Sequence, residues 1–302
     1  LISLIFFPLI LFIQKKEIIY FVSYTLLILG LIKIIDLILN LVYQKKILFF
    51  DEKKLFKNLD TKLLYLVLLG YFLLSFSALS HGDALGYHFE IAKNILKKGY
   101  FAVEPLFLQS YLFGSGEMLI ALGLVFGAES FINLIQFSGL LSLFGILKKF
   151  TRNNFDIRSL LLFCCPVLIF LTSAHKPQLF YICSLSIVFT FFFLIELEQL
   201  KKKEFLIISV VSYMFLLNAV NAKFIFILSS VLIGIKIFYE FYKKKFLFIN
   251  IIYLIIFLFI FYSPIIFWKI DNLDFKLVEI FLSPLPSAMI GYEPFLEYLK
   301  NY

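Results

Sequence analysis

The segment 80–99 holds side chains that could take part in acid–base chemistry. It contains Asp83, Tyr87 and His88 and ends at Gly99. A carboxylate near the membrane surface can act as a general base towards a hydroxyl group when partial burial raises its pKa. The same carboxylate, directly ahead of a predicted helix, could instead cap that helix. Both roles of Asp83 stay open at this point.

Lysines in two further short segments could bind an anion. Lys176 stands beside Pro177 between two apolar runs, and Lys223 opens a later apolar run. Two lysines on separate corners that face one acidic loop could hold a phosphate or a pyrophosphate as point charges. A lone interfacial lysine more often only extends its charge to water.

An amphipathic helix is predicted to position Tyr87 and His88. Apolar residues recur at helical spacing from Leu85 to Leu96, and polar residues occupy the rest of the helical wheel. This pattern is typical of a helix that lies beside a membrane.

Composition places these residues in a membrane protein. Hydrophobic residues make up 62% of the chain, aromatic residues make up 20%, and the mean hydropathy is +0.97. An ordinary soluble domain is only about half apolar, so a water-soluble fold is excluded. The net charge of +8 comes from lysines and arginines grouped between apolar runs, which indicates topology signals and no nucleic-acid partner.

The apolar runs predict an all-α bundle of about eight or nine spans in a single membrane domain, residues 1–302. Because the chain starts at Leu1 and ends at Tyr302 in a predicted loop, we expect it to be truncated. A short run at 1–13 fits the remnant of a further span. The predicted spans are 18–43, 63–80, 131–147, 159–173, 179–197, 205–222, 224–242 and 246–267.

Basic residues are concentrated in connectors that the positive-inside rule places in the cytoplasm. The predicted outer segments are then 81–130, 174–178, 218–223 and 268–302, and they contain all three histidines. The cytoplasmic connectors are 44–62, 148–158, 198–204 and 243–245. The orientation of the first helices stays open, because basic pairs flank the run 18–43 on both sides.

This orientation requires that the apolar segment 107–127 does not cross the membrane. The segment is interrupted by glycines together with Ser115 and Glu117. We therefore expect a helix that lies along the membrane interface, which keeps Glu117 on the outer side.

In their order and sidedness these motifs resemble the GT-C superfamily of integral membrane glycosyltransferases. The similarity is to its dolichyl-phosphate-mannose protein mannosyltransferase-like and aminoarabinose-transferase-like members. Such proteins carry an Asp in the first outer loop, as Asp83 does here, then a small residue shortly before Lys-Pro, as in Ala174-His175-Lys176-Pro177. A later Lys that opens a span resembles Lys223. The resemblance covers about residues 60 to 290, with 63–267 as the core.

The resemblance implies an inverting enzyme of the bacterial inner membrane, multi-pass and without a cofactor. It would move a sugar from a polyprenyl-phosphate-linked donor to a lipid, glycan or protein acceptor on the outer face. Asp83 would deprotonate or orient the acceptor hydroxyl, while Lys176 and Lys223 steady the lipid phosphate. The other predicted substrate-binding residues are Tyr87, His88, Glu117 and His175.

The sequence also allows three alternatives. A metal site built from His81, Asp83, His88 and His175 is conceivable, since imidazole and carboxylate are ordinary ligands, but His81 and Asp83 stand two apart on a loop and nothing in the sequence orients them. A transporter or lipid flippase would bury ionisable residues at mid-membrane and show internal repeats. Lys33 and Asp36, three apart on a helix and able to pair, are the only deep charged residues that we find, and no repeat is visible. In a non-catalytic membrane subunit, Asp83 would be only a helix cap.

Overall fold

The computed structural model describes residues 2–44, 59–78, 82, 84–100, 114–150, 157–194 and 200–273. Within these ranges all regular structure is helical and no strand is found, so the predicted all-α class is confirmed for them. The helices are α1 Ile2–Ile13, α2 Lys16–Gln44, α3 Leu59–Leu74, α4 Phe89–Lys98, α5 Ser115–Leu124, α6 Phe131–Phe150, α7 Ile157–Phe163, α8 Pro166–Ser173, α9 Gln178–Leu194, α10 Lys202–Ala222, α11 Ile227–Lys243, α12 Leu247–Phe257 and α13 Ser263–Leu273. A π-helical turn, Ala84–His88, leads into α4, a second, Leu258–Tyr262, joins α12 to α13, and a 3₁₀ turn, Phe224–Phe226, precedes α11.

Four helical stretches in the described residues are long and apolar enough to cross a membrane. They are Lys16–Asp36, Phe131–Lys148, Lys202–Ala222 and Leu247–Asp271. The protein is therefore a helical membrane protein, but the predicted eight or nine spans are not confirmed. Three shorter apolar stretches accompany the four, namely Lys62–Leu74, Ser115–Leu124 and Gln178–Phe193.

The run 159–173, predicted as one span, is broken in the middle. Helix α7 ends at Phe163 and α8 begins at Pro166. Proline has no backbone N–H and forces the residue before it out of the helical conformation, and Cys165 accordingly has φ −59° and ψ 124°. The break frees the carbonyl of Phe163, which accepts a hydrogen bond from the Tyr71 hydroxyl at 2.6 Å.

The span Leu247–Asp271 is continuous but changes its winding at the π turn Leu258–Tyr262. A π turn leaves carbonyls poorly paired within the helix. The side-chain amide of Asn221, at the end of α10, donates to the carbonyl of Phe261 at 3.3 Å. The irregular part of this span is thus held by the residue two positions before Lys223.

Helix α5 lies inside the protein and not along its lipid-facing surface. All residues from Ser115 to Gly123 are buried, whereas the sequence predicted a helix at the membrane interface. Glycines explain the difference, because a side chain at Gly116 would meet Pro177 and one at Gly123 would meet Phe131. Small residues let neighbouring chain segments approach closely in this way.

The N-terminal helices cover α5 from another side. Phe7 and Ile10 of α1 and Ile19 of α2 belong to the same apolar core as Met118 of α5. The Ser23 hydroxyl of α2 donates to the Leu122 carbonyl at 3.2 Å. Helices α1 and α2 are therefore part of the wall around α5.

The outward faces of the long helices are apolar. Many large hydrophobic side chains of α2, α11, α12 and α13 are exposed, among them Phe21, Leu228, Phe248 and Phe267. On a soluble protein such a surface would drive aggregation, but it matches the hydrocarbon of a bilayer. Lys33 and Asp36, which the sequence spaces so that they can pair, form an ion pair at 3.7 Å on the exposed side of α2.

Candidate functional site

Polar side chains gather where the first π turn, the start of α5, the corner before α9 and the end of α10 meet. Each of these elements contributes at least one buried or half-buried charged or titratable residue. The four main residues are His88, Glu117, Lys176 and Lys223. In a membrane protein such a cluster indicates a functional site, because burial of an ionisable group away from water costs free energy.

Glu117 and His88 form a buried pair at the centre of the cluster. The Glu117 Oε1 atom lies 2.7 Å from Nδ1 of His88, and both side chains have no exposed surface. The second carboxylate oxygen, Oε2, accepts the backbone N–H of Gly114 at 2.7 Å. Glu117 is the third residue of α5, so it reaches back to the residue that precedes the helix and caps it. The same capping contact fixes the oxygen that faces His88.

The pKa values of the two partners move in the same direction. Burial lowers the pKa of His88 below its usual 6.5, and the charges of Lys223 and Lys176 add to this, although the hydrogen bond to Glu117 works against it. Burial alone would raise the pKa of Glu117, but the His88 hydrogen bond, the Lys223 charge and the Gly114 N–H together hold it below its ordinary value. The pair is therefore a charged carboxylate and a neutral imidazole, whose Nδ1–H donates to Glu117.

The other ring nitrogen of His88 has no such partner. Among the described residues, no atom forms a hydrogen bond with the buried Nε2 of His88. Because the proton sits on Nδ1, Nε2 carries a lone pair and is a hydrogen-bond acceptor. The Tyr87 ring packs on the imidazole with 3.9 Å between the ring centroids.

Lys223 brings a positive charge to the pair. Its Nζ lies 4.0 Å from Oε1 of Glu117 and donates to the Tyr87 hydroxyl at 3.0 Å. The side chain keeps 13% of its surface exposed, so it is accessible to a ligand. Lys223 directly follows α10, and its backbone N–H still bonds to the carbonyl of Ala219. The end of α10 thereby sets the position of the charge.

His175 and Lys176 form a buried corner between α8 and α9. His175 has φ +52°, a left-handed conformation that residues other than glycine rarely adopt. Asn133 holds this corner, since its Oδ1 accepts the His175 backbone N–H at 3.0 Å and its amide lies 3.1 Å from Nε2. The His175 Nδ1 lies 2.8 Å from the carbonyl of Ser173. Burial lowers the pKa of His175.

Several polar residues that support the site were not singled out from the sequence. Asn133 and Gln136 stand three apart on α6, and Gln136 Oε1 accepts the N–H of Leu179 at the start of α9 at 3.1 Å. Two amide residues three apart in an otherwise apolar run were the signal for this anchor. A second group lies under α5, where the Ser115 hydroxyl is 3.4 Å from the Tyr181 hydroxyl and 3.5 Å from Oδ1 of Asn218.

The structure brings four of the predicted residues into contact, namely Tyr87, His88, Glu117 and Lys223. Lys176 lies close enough for its charge to act on His88. His175 faces Asn133 and the ring of Phe89. His81 and Asp83 lie outside the described residues. Where the structure is described, no group of three or more His, Cys, Asp or Glu residues could hold a metal ion.

The sequence was compared with protein families, curated proteins and solved structures. The family model of the DUF1420 N-terminal domain matches residues 59–302, which is most of the chain and includes every residue of the cluster. No curated protein and no solved structure matches the sequence. The helices α1 and α2 precede the matched range.

Proposed function

We propose that this chain, which belongs to the DUF1420 N-terminal domain family, is a membrane glycosyltransferase that takes a sugar from a polyprenyl-phosphate donor. The observation that supports this most is the arrangement of Lys223 beside the buried Glu117 and His88 pair. Sugar transfer from a lipid phosphate to a hydroxyl group needs a cation that stabilises the leaving phosphate. It also needs a group that accepts the proton of the hydroxyl. The sidedness and motif order that resemble GT-C enzymes support the same reaction class.

The lysines would bind the phosphate of the donor. Lys223 is half-buried between a hydroxyl and a carboxylate, and Lys176 is only 8% exposed. In such a site with little water, positive charge stabilises the negative charge that develops on a leaving phosphate more strongly than it would in solution. Tyr87 keeps the ammonium group of Lys223 in place.

The acceptor hydroxyl would lie beside the first π turn. Asp83 immediately precedes this turn, which carries Tyr87 and His88. We propose that Asp83 deprotonates or orients the acceptor. The acceptor would be a lipid, a glycan or a protein hydroxyl, on the outer face of a bacterial inner membrane.

The test is donor binding and turnover by the full chain in lipid nanodiscs. Polyprenyl-phosphate mannose and polyprenyl-phosphate aminoarabinose serve as donors, a membrane extract supplies acceptors, and released polyprenyl phosphate is measured. Lys223→Gln should weaken donor binding about 10-fold to 100-fold, the value of one charge-assisted hydrogen bond, and Lys223→Arg should restore part of it.

The matched control is Lys236→Gln. Lys236 also pairs with a glutamate, Glu240, within α11 and away from the cluster. Its loss should leave donor binding unchanged. If the wild-type protein releases no polyprenyl phosphate from either donor, or if Lys223→Gln and Lys236→Gln behave alike, the proposal is wrong.

A proton-coupled transporter or lipid flippase is the second candidate. It is favoured by the full burial of Glu117 and His88, because buried ionisable pairs also occur in the proton relays of transporters. Proteoliposomes separate the two functions. A flippase moves the intact donor across the bilayer, whereas a transferase releases polyprenyl phosphate on one side.

A further inference from the structure

The two described histidines, both fully buried, differ in how their ring nitrogens are satisfied. The ring of His175 has the Ser173 carbonyl at Nδ1 and the Asn133 amide at Nε2. The ring of His88 has Glu117 at Nδ1, and no described residue bonds to Nε2. The first histidine is therefore a structural part of a corner, while the second has a buried ring nitrogen with no hydrogen-bond partner among the described residues.

The contacts of Glu117 indicate which nitrogen of His88 carries the proton. The Gly114 N–H holds one oxygen of Glu117, and the other oxygen lies against Nδ1 of His88. A carboxylate can only accept, so Nδ1 must donate its proton and Nε2 must carry the lone pair. A carboxylate behind a histidine fixes the tautomer and stabilises the imidazolium that forms when the ring takes up a proton.

The charged and titratable groups around His88 keep Nε2 unprotonated. Glu117 faces the ring from α5, Tyr87 from the same π turn, Lys223 from the end of α10 and Lys176 from the corner before α9. The two lysines oppose a second positive charge at rest, and burial acts in the same sense. His88 is therefore neutral at neutral pH, as a general base must be.

We infer that His88 is the catalytic base of the proposed transfer, with Glu117 as its positioning residue. The inference rests on the proposed function. The acceptor O–H bond breaks and its proton binds to Nε2. The acceptor oxygen forms a bond to the anomeric carbon, and the bond from that carbon to the phosphate oxygen breaks. The phosphate leaves with the electron pair beside Lys223 and Lys176, and His88 then releases its proton to water.

A first experiment tests the state of His88 without any turnover. The chain has three histidines, so ¹⁵N-histidine labelling in nanodiscs gives three sets of signals that His88→Gln and His175→Gln assign. We expect His88 to be neutral at pH 7 with its proton on Nδ1 and to stay neutral below pH 6.5. A proton on Nε2, or an imidazolium at pH 7, would overturn the inference.

A second experiment uses the pH profile of donor turnover. The wild-type rate should fall on the acid side as His88 takes up a proton, and His88→Gln should lower the rate about 10²-fold to 10⁴-fold, the usual contribution of a general base. Glu117→Gln removes the contacts that raise the pKa of His88, so the acid limb should move to lower pH while the maximal rate falls. Glu117→Asp keeps the carboxylate and should restore part of the rate.

The outcomes separate the two proposals. A wild-type protein that is folded but releases no polyprenyl phosphate contradicts the proposed function. A wild-type protein that turns the donor over, with His88→Gln equally active, contradicts only the role of His88. A Glu117→Gln variant that loses rate without any shift of the acid limb assigns Glu117 a purely structural role and overturns its part in the inference.

Discussion

At the scale of single residues, the site depends on a carboxylate that stays charged without contact to water. Glu117 achieves this with three partners, namely the local N–H of Gly114 and the distant side chains of His88 and Lys223. Removal of one partner leaves an uncompensated buried charge, which costs more than the interaction itself contributes. The three groups are therefore energetically coupled, and their substitutions will not be additive.

Protein stability should fall when the pH is lowered below about 6.5. The pKa values of His88 and His175 are lower in the folded protein than their usual 6.5, so the unfolded chain binds more protons there and is favoured. Glu117, whose folded pKa is lowered, contributes stability above its usual 4.5 that is lost at still lower pH. Both effects have the same sign.

The measurement is the apparent melting temperature in detergent at pH 7.5 and pH 5.5. We expect a lower value at pH 5.5 and a smaller difference in the variant with both His88→Gln and His175→Gln. An equal difference in that variant and in the wild type would show that other groups cause the pH dependence.

At the scale of elements, the position of Glu117 depends on how closely α5 approaches the end of α10. Gly114, just before α5, has extended backbone angles that any residue can adopt, so its importance is steric. A Cβ atom there would meet the backbone carbonyls of Ala222 and Asn221, which cannot move aside as a flexible side chain could.

Gly114→Ala should therefore push α5 away from α10 and separate Glu117 from Lys223. We expect a loss of about 1–3 kcal/mol of stability, as for other overpacked sites, together with a loss of donor binding. The control is Gly70→Ala in α3, where a Cβ atom meets nothing within 4 Å and alanine favours the helix. The measurements are the melting temperature and the donor affinity of both variants. If Gly114→Ala and Gly70→Ala have the same melting temperature and the same donor affinity, this account of the packing is wrong.

Helices and helix ends could be predicted where the signal lies in neighbouring residues of the sequence. The amphipathic pattern from Leu85 to Leu96 predicts a helix, and the structure has one that ends at Gly99, which has φ +80° and donates its N–H to the Ile95 carbonyl at 2.8 Å. Pro166 also indicates a break in the helix, but the continuous apolar run 159–173 led to the prediction of a single span. The contact of His88 with Glu117 joins residues far apart in the chain, and no local pattern indicates it. Likewise, the glycines of α5 allow close packing but do not indicate which segments pack against them, so the burial of α5 could not be foreseen.

At the scale of the whole molecule, the two ends of α10 lie on opposite sides of the membrane if the helix spans it. The helix has 21 residues, which at 1.5 Å per residue gives about 30 Å, the thickness of the hydrocarbon. Lys223 and the cluster lie at one end, and Lys201 lies at the other. The basic connectors predict the cluster on the outer face.

Cysteine labelling tests this orientation. The native residues Cys164, Cys165 and Cys183 are first replaced by alanine, and then Lys98→Cys at the end of α4 and Lys201→Cys are made separately; both lysines are exposed. A membrane-impermeant maleimide should label the first in intact cells and the second only after permeabilisation. Labelling of both from one side would contradict the orientation. Position 115, which the sequence placed in an exposed outer helix, is buried and unsuitable for labelling.

The packing of α1 and α2 against α5 has a practical consequence for any attempt to produce this protein in parts. The family match begins at residue 59, yet Phe7, Ile19 and Ser23 lie against the helix that carries Glu117. Gly99, which ends α4, also sits against the backbone between Gln14 and Lys16. A protein expressed from residue 59 onwards would therefore lose part of the apolar core and expose buried residues of α5.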